Sequence, residues 1–327
     1  MTNEALRVGI LTSGGDAPGM NAAVRALVRS GHKSGVKIYG IRHGYEGLLN
    51  TDIYEMTAQR VSDIIHRGGT ILRTARSAAM MTEEGQHKAA DVVKVLKFNA
   101  LVAIGGDGTF RGAFDISKQD VNVIGIPATI DLDMPCTEYS LGFDTAVNTG
   151  MDAINRLRDT SFSHERCSVV EVMGRDAGYL ALWCGLTGGA EEVIFPENGG
   201  VDAEVVIQEI IKNRSLGKRN HLIVVAEGIG GSAALAKEIE SKLGIESRPM
   251  ILGHLQRGGS PTALDRMHGS TMGFLAMEAI VSGEKNKAVI FKEGRHKLMD
   301  LEEAINCKRE YTAEMRTMHE MVKSLAV

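Results

Sequence analysis

The sequence lacks several features that would assign a function at once. Its 327 residues contain four cysteines, Cys136, Cys167, Cys184 and Cys307, with no C-x-x-C pair, and only His164 stands near one of them. That pattern supports neither a disulfide framework nor a tetrahedral metal site, so the thiols read as buried or idle in a reducing compartment. No run of Lys and Arg occurs and the formal net charge is −4. An electrostatic nucleic-acid binder, which needs a basic face, is excluded, and any anion site must use locally placed arginines. No apolar stretch approaches the ~18 residues of a membrane span. The segment Met1 to Arg7 is polar, with no signal-peptide pattern, so the expected location is the cytoplasm. There is no fixed-period repeat and no low-complexity linker. Neither G-x-G-x-x-G nor G-x-x-x-x-G-K-[ST] occurs where a phosphate loop would need it, which removes the dinucleotide fingerprint and the P-loop.

What is present is an ordinary globular composition, 43% hydrophobic and 24% charged, on a chain longer than one typical domain. Strands are expected at Val8 to Leu11, Val36 to Ile41, Leu101 to Ile104, Ser168 to Met173, His221 to Glu227 and Met250 to Leu252. Helices are expected at Met20 to His32, His87 to Lys97, Thr145 to Arg158, Asp202 to Asn213, Ser232 to Leu243 and Thr262 to Ser282. Strands alternating with helices imply α/β architecture with mostly parallel sheets covered on both faces. The pattern restarts near Leu141 to Thr145, which marks a second α/β domain.

Three stretches carry chemistry. Ile124 to Asp133 is an apolar strand running into a loop with two carboxylates, Asp131 and Asp133. If that loop stays extended, residues two apart share a face and both look into one cleft. An ionised Asp there can accept a hydroxyl proton or hold a metal through water; a capped turn is the bland alternative. Thr12-Ser13-Gly14-Gly15-Asp16 offers unobstructed backbone N–H groups before a helix, an arrangement suited to phosphate. Gly105-Gly106-Asp107-Gly108-Thr109 is a second glycine loop that sets one carboxylate among amides, as a triphosphate with Mg²⁺ requires. Similar G-G-D-G-T runs occur in NAD kinases and diacylglycerol kinases. Arg25 and Arg29 lie on one helix face, where they either bind an anion or solvate the surface.

Taken in order, TSGGDAPGMNAAVR (Thr12 to Arg25), GGDGT (Gly105 to Thr109), PATIDLD (Pro127 to Asp133), VMGR (Val172 to Arg175) and LGHLQRGGSP (Leu252 to Pro261) closely resemble the bacterial 6-phosphofructokinases over nearly the whole chain. The resemblance implies two Rossmann-like three-layer domains with the active site in the cleft between them. The larger would comprise 1–142 and 254–305 and hold ATP; the smaller would comprise 143–253 and 306–327 and hold fructose 6-phosphate. It implies ATP-dependent phosphorylation of fructose 6-phosphate to fructose 1,6-bisphosphate in glycolysis, with Mg²⁺, by a homotetramer.

By the same resemblance, Gly15, Arg76, Ser77 and Gly106, Asp107, Gly108 and Thr109 form the ATP site, with Asp107 on Mg²⁺. Asp131 is the base for the sugar's 1-hydroxyl, Asp133 supports the metal and orients that hydroxyl, and Thr129 and Arg175 contact the transferring phosphoryl group. The sugar phosphate falls to Thr129, Ile130, Asp131, Arg166, Met173, Gly174, Arg175, Glu227, Arg248, His254 and Arg257, with Arg166 and Arg248 reaching across a subunit boundary. Planar arginines suit a phosphate better than lysines do. An effector pocket for ADP or phosphoenolpyruvate maps onto Arg25, Arg29, Arg158, Glu191 and Lys218, although Leu216 stands where a base is common and Gln59 where an aromatic is common.

Other departures bear on the phosphoryl donor. Ala128 and Leu132 stand where most relatives carry Gly and Asn, and Arg73 where Gly is usual. Pyrophosphate-using relatives carry Asp at Gly108 and Lys at Ala128, so the small residues here favour ATP. The alternatives are a pyrophosphate-dependent enzyme and an inactive regulatory subunit that binds sugar phosphate.

Overall fold

The computed structural model describes residues 5–200, 202–308 and 312–326. Residues 1–4, 309–311 and 327 of the expected domain ranges, together with Val201, lie outside the described residues. In chain order the elements are β1 (Arg7–Thr12), α1 (Met20–Lys33), β2 (Lys37–Ile41), α2 (Gly44–Leu49), β3 (Ile53–Glu55), α3 (Glu83–Val95), β4 (Ala100–Gly105), α4 (Asp107–Ser117) and β5 (Val123–Pro127). They continue with α5 (Phe143–His164), β6 (Cys167–Val172), α6 (Tyr179–Gly188), β7 (Glu192–Ile194), α7 (Ala203–Ser215), β8 (His221–Ala226), α8 (Ser232–Leu243) and β9 (Ser247–Ile251). The last are α9 (Ala263–Val281), β10 (Lys287–Lys292), β11 (Arg295–Asp300), α10 (Leu301–Asn306) and α11 (Ala313–Leu325).

Two compact units emerge among the described residues. One draws on Met1–Thr129, Met134–Thr145 and Arg257–Arg309; the other on Ile130–Asp133, Ala146–Gln256 and Glu310–Val327. Four stretches differ from the expected division, and two of them, Phe143 to Thr145 and Asn306 to Lys308, belong to the first unit. Ile130 to Asp133 group with the second unit, and His254 to Gln256 stay there too, because the Gln256 amide is bonded to Met173 N–H and the Ala146 carbonyl.

The first unit is built on a seven-stranded sheet in the order β11-β10-β5-β4-β1-β2-β3, parallel except for β3 and β11, which pair antiparallel at its two edges. β4 (ALVAIG) and β5 (VIGIP) are buried along their whole length, as strands covered on both faces must be. One face packs Leu11, Leu101, Ala103 and Phe110 with the apolar sides of α3 and α4. The chain winds outward from β1 in one direction to β2 and in the other to β4. In such open α/β sheets a ligand crevice lies at the carboxyl ends of the strands flanking the switch in winding direction. Both glycine-bearing segments leave the sheet there.

The second unit holds a four-stranded parallel sheet, β7-β8-β6-β9, with Val169, Ile223, Val225, Val206 and Ile239 in one of its cores. The carboxyl ends of β6, β8 and β9 carry Met173, Glu227 and Leu252 respectively.

Some expectations shift. α3 begins four residues before His87, since the Thr82 side chain accepts from Gly85 N–H and fixes the start. α5 runs to His164, beyond Arg158. Gly105 to Thr109 is not wholly a loop, because α4 starts at Asp107.

Candidate active site

In the first unit, the segment after β1 and the segment after β4 hold each other. Ser13 N–H donates to the Ile104 carbonyl at 3.0 Å, and Thr109 Oγ1 donates to the Ser13 carbonyl at 3.0 Å. Thr74 Oγ1 donates to the Gly14 carbonyl at 2.6 Å, and Thr12 Oγ1 to the Arg73 carbonyl at 2.8 Å, so the basic loop is tied to the same place. Crowding against backbone requires glycine at Gly105, whereas Gly15 lies against the movable end of the Arg257 side chain. A Cβ on Gly105 would lie 2.4 Å from the Ser13 carbonyl oxygen, and one on Gly15 would lie 2.1 Å from Arg257 Nη1. Arg257, expected at the sugar's phosphate, thus rests against the first glycine loop.

Asp107 is the first residue of α4 and 43% exposed on its side chain; its Oδ2 accepts from Arg111 Nε at 2.8 Å. The start of a helix presents unused N–H groups and a partial positive charge, so α4 is suited to a phosphate. Around Gly108 nothing lies within 4 Å of where a Cβ would stand. A single, partly exposed carboxylate fits a Mg²⁺ ion that keeps most of its waters. Among the described residues no group of three or more His, Cys, Asp or Glu could hold a metal outright. Arg76 is exposed, and Ser77 Oγ donates to Glu46 Oε2 at 2.9 Å. The Thr129 carbonyl accepts from Ser140 Oγ at 2.7 Å.

In the second unit, Ile130 and Asp131 are buried and Asp133 is 14% exposed on its side chain. The extended geometry expected for this segment is absent. β5 stops at Pro127, and Leu132 between the carboxylates is left-handed with φ 51°, so strand alternation does not set their directions. Arg175 Nη1 lies 3.9 Å from Asp133 Oδ2. The Arg175 N–H donates to Glu227 Oε1 at 2.8 Å, and Met173 N–H to Gln256 Oε1 at 2.8 Å. Arg166 Nε donates to Glu246 Oε2 at 2.6 Å, and Arg248 pairs with Glu246 Oε1. The two arginines expected to share a phosphate therefore share a glutamate, whose carboxyl the Arg166 hydrogen bond holds below the usual range. His254 is exposed just past β9.

Of the expected effector residues, Arg158, Glu191 and Lys218 line one small cavity in the second unit, together with Ser161, Ser168 and His221. Lys218 Nζ is 2.5 Å from Glu191 Oε1 and donates to the Ala326 carbonyl at 2.6 Å; Arg158 donates to the Gly188 and Gly189 carbonyls. Burial pushes the Glu191 carboxyl up, but His221, Lys218 and the Leu222 N–H together bring it below its ordinary value. Arg25 and Arg29 stand on α1 of the first unit.

Sequence reasoning missed Glu246, Glu197 and Gln256. Only Gln256 left a trace, as the one amide inside the Leu252 to Pro261 block; the glutamates lie in stretches with no motif around them.

Glycine loops on neighbouring parallel strands, a helix start bearing one carboxylate, and an arginine 3.9 Å from a further aspartate define an α/β protein suited to phosphate groups. Residues 7–280 match the family model described as phosphofructokinase, and the chain belongs to the phosphofructokinase family. It is 51% identical over 308 residues to a Clostridium botulinum protein called ATP-dependent 6-phosphofructokinase, covering 94% of this chain and 96% of that one. A Clostridium acetobutylicum protein of the same description is 50% identical over 96% of this chain and 98% of its own length. Among solved structures, phosphofructokinase from Saccharomyces cerevisiae superposes with a TM-score of 0.85 at 30% identity over 98% of this chain; the match spans 48% of the yeast chain. A pyrophosphate-dependent phosphofructokinase from Marinobacter aquaeolei shares the fold, with a TM-score of 0.84 at 20% identity over 97% of this chain and 91% of its own. No helix among the described residues is long and apolar enough to cross a membrane.

Proposed function

We propose that this protein is an ATP-dependent 6-phosphofructokinase that transfers the γ-phosphoryl group of ATP to the 1-hydroxyl of fructose 6-phosphate, in the cytoplasm, as a homotetramer. The observation that carries the reading is Arg175, 3.9 Å from Asp133 in a segment that also holds the buried Asp131. Phosphoryl transfer passes through a loose transition state, so positioning and neutralisation of charge matter more than a strong base. Asp131 takes the hydroxyl proton, Asp133 orients that hydroxyl, and Arg175 with Thr129 meets the charge on the phosphoryl oxygens. The first unit supplies the phosphate cradle through Gly15, Gly106 to Thr109 and Arg76. Mg²⁺, held through water by Asp107, would neutralise the triphosphate. Arg166, Arg248, His254 and Arg257 bind the 6-phosphate, and Met173, Gly174 and Glu227 surround the sugar.

The open space at Gly108 supports ATP over pyrophosphate, since a nucleotide needs room that an Asp side chain would take. The two clostridial relatives also carry the ATP-dependent description at about half identity. The cavity lined by Arg158, Glu191 and Lys218 serves as an effector pocket for ADP or phosphoenolpyruvate. The test is a coupled assay for fructose 1,6-bisphosphate with each donor. Turnover with ATP and none with pyrophosphate is expected. The reverse would move the chain to the pyrophosphate class, and no turnover with either would leave a regulatory sugar-phosphate binder.

A further inference from the structure

The segment bearing Arg175 is a tight turn after β6, and its geometry needs outside support. Ala177 N–H donates to the Gly174 carbonyl at 2.8 Å, which places Arg175 at the second position of the turn, with φ 51°. A positive φ there favours glycine, and an arginine keeps it only where its surroundings enforce it. Three side chains hold the turn by its N–H groups. Gln256 takes Met173 at the start and Glu227 takes Arg175 at the apex, each at 2.8 Å. Glu197 takes Gly178 at the end, with its two carboxylate oxygens at 3.1 and 2.9 Å.

Glu197 lies in the short 3-10 turn Pro196–Asn198 that follows β7. Gly178 is the N-cap of α6, which has no side-chain cap and no acidic residue in its first turn. Glu197 therefore gives α6 both the missing acceptor and the negative charge that a helix start favours. Contact is close from both sides. A Cβ on Gly178 would fall 2.5 Å from Phe195 Cδ2 and 2.8 Å from Glu197 Oε2, while one on Gly228 would fall 2.2 Å from the Arg175 carbonyl oxygen. Glu197 is the side chain that takes the N–H at the far end of the turn, where the Gly178 carbonyl also accepts from Leu182 N–H within α6.

We propose that Glu197 is a positioning residue for phosphoryl transfer, fixing the end of the turn so that the Arg175 guanidinium stays where charge develops. This rests on the role given above to Arg175. Because Arg175 acts on the transition state, losing its placement should lower kcat and leave ATP binding alone.

The experiment compares steady-state kinetics of wild type, Glu197→Ala, Glu197→Asp, Glu197→Gln, Arg175→Ala and the Glu197→Ala/Arg175→Ala double variant. Glu197→Ala should lower kcat by about tenfold to a hundredfold, the scale of a misplaced catalytic group, with KM for ATP within about twofold. Glu197→Asp keeps the charge but lacks reach and should fall similarly, which preserves the test if the alanine variant folds poorly. Glu197→Gln retains a carbonyl acceptor at full reach and should recover most of kcat. In the Arg175→Ala background Glu197→Ala should have little further effect, as expected when one residue acts through another. Wild-type kcat in both Glu197→Ala and Glu197→Asp, or an equal loss in the two backgrounds, overturns the proposal. Wild-type kcat in Arg175→Ala overturns the Arg175 reading itself, and the proposal with it.

Discussion

Two residues that the resemblance marks as departures from the family pattern fall on left-handed backbone. Arg73, where glycine is usual, has φ 58°, and Leu132, where asparagine is usual, has φ 51°. Glycine and asparagine adopt this conformation readily, whereas other residues pay roughly 1–2 kcal/mol for it. Arg73 is exposed, and its carbonyl, not its side chain, holds Thr12, so little packing is lost on changing it. Arg73→Asn should raise stability by about 0.5–1 kcal/mol in urea unfolding, while β-branched Arg73→Val should lower it by about 1 kcal/mol. Equal midpoints for the two variants would show that the loop relaxes out of the left-handed region at no cost. Both positions lie in the region that Gly and Asn adopt most readily, a backbone fact that the sequence alone could not show. At Asp131 the question is chemical. Asp131→Asn keeps the shape of a buried side chain and removes the proton acceptor, so kcat should fall by ~10²- to 10⁴-fold with the sugar-phosphate KM nearly unchanged. A kcat within a few-fold of wild type would mean that another group takes the proton.

Among the elements, α9 shows how a readable start can hide an unreadable purpose. Thr262 and Asp265 are spaced as a capping pair, and Asp265 N–H does donate to Thr262 Oγ1 at 3.3 Å, close to the expected helix start. The carboxylate itself is used more than a hundred residues away. It accepts from Tyr139 Oη and Gly142 N–H at 2.7 Å and from Thr145 N–H at 2.9 Å, although burial pushes its carboxyl up. The spacing of apolar residues cannot reveal a bond of that range. Equally hidden were β3 and β11, short antiparallel edge strands with weak alternation, and β7, whose three residues are too few to show a period. One turn further along α9, His268 stacks on Tyr139 and shares a hydrogen bond of 2.9 Å with His296. Burial, aided by the neighbouring His296, lowers His268 to about 4. The folded state resists a proton that the unfolded state accepts near the ordinary histidine value of ~6.5. The unfolded state then binds more protons between those values, so stability declines as pH falls from about 6.5 towards 4. His268→Phe, which keeps an aromatic ring and cannot titrate, should lose less Tm than wild type across that window; parallel Tm curves would show that His268 contributes nothing to acid sensitivity.

For the whole molecule, the candidate phosphate loops were more legible than a candidate effector pocket, because glycine, aspartate and arginine blocks mark loops at strand ends whereas the pocket residues are scattered along the chain. Arg158 on α5, Glu191 just before β7 and Lys218 between α7 and β8 meet at one small cavity, but each is already engaged. Arg158 donates to the Gly188 and Gly189 carbonyls, and Lys218 to Glu191 and the Ala326 carbonyl just beyond α11. A phosphorylated effector binding at this proposed pocket would have to displace some of these bonds, without an aromatic wall at Gln59 or a base at Leu216. An effector shifts a conformational equilibrium only by the difference between its affinities for the two states. With contacts missing and existing bonds to break in either state, that difference should stay below about 1 kcal/mol, under the usual range of allosteric coupling. Saturating ADP or phosphoenolpyruvate should therefore move half-saturation by fructose 6-phosphate less than about fivefold, and a shift above about tenfold, ~1.4 kcal/mol, would overturn this. The measurement is a sugar-phosphate saturation curve with and without each effector, alongside calorimetric binding of the effector to wild type and Lys218→Ala. A larger shift, lost in Lys218→Ala, would mean that the effector wins Lys218 from Ala326 and that this exchange is itself the source of the coupling.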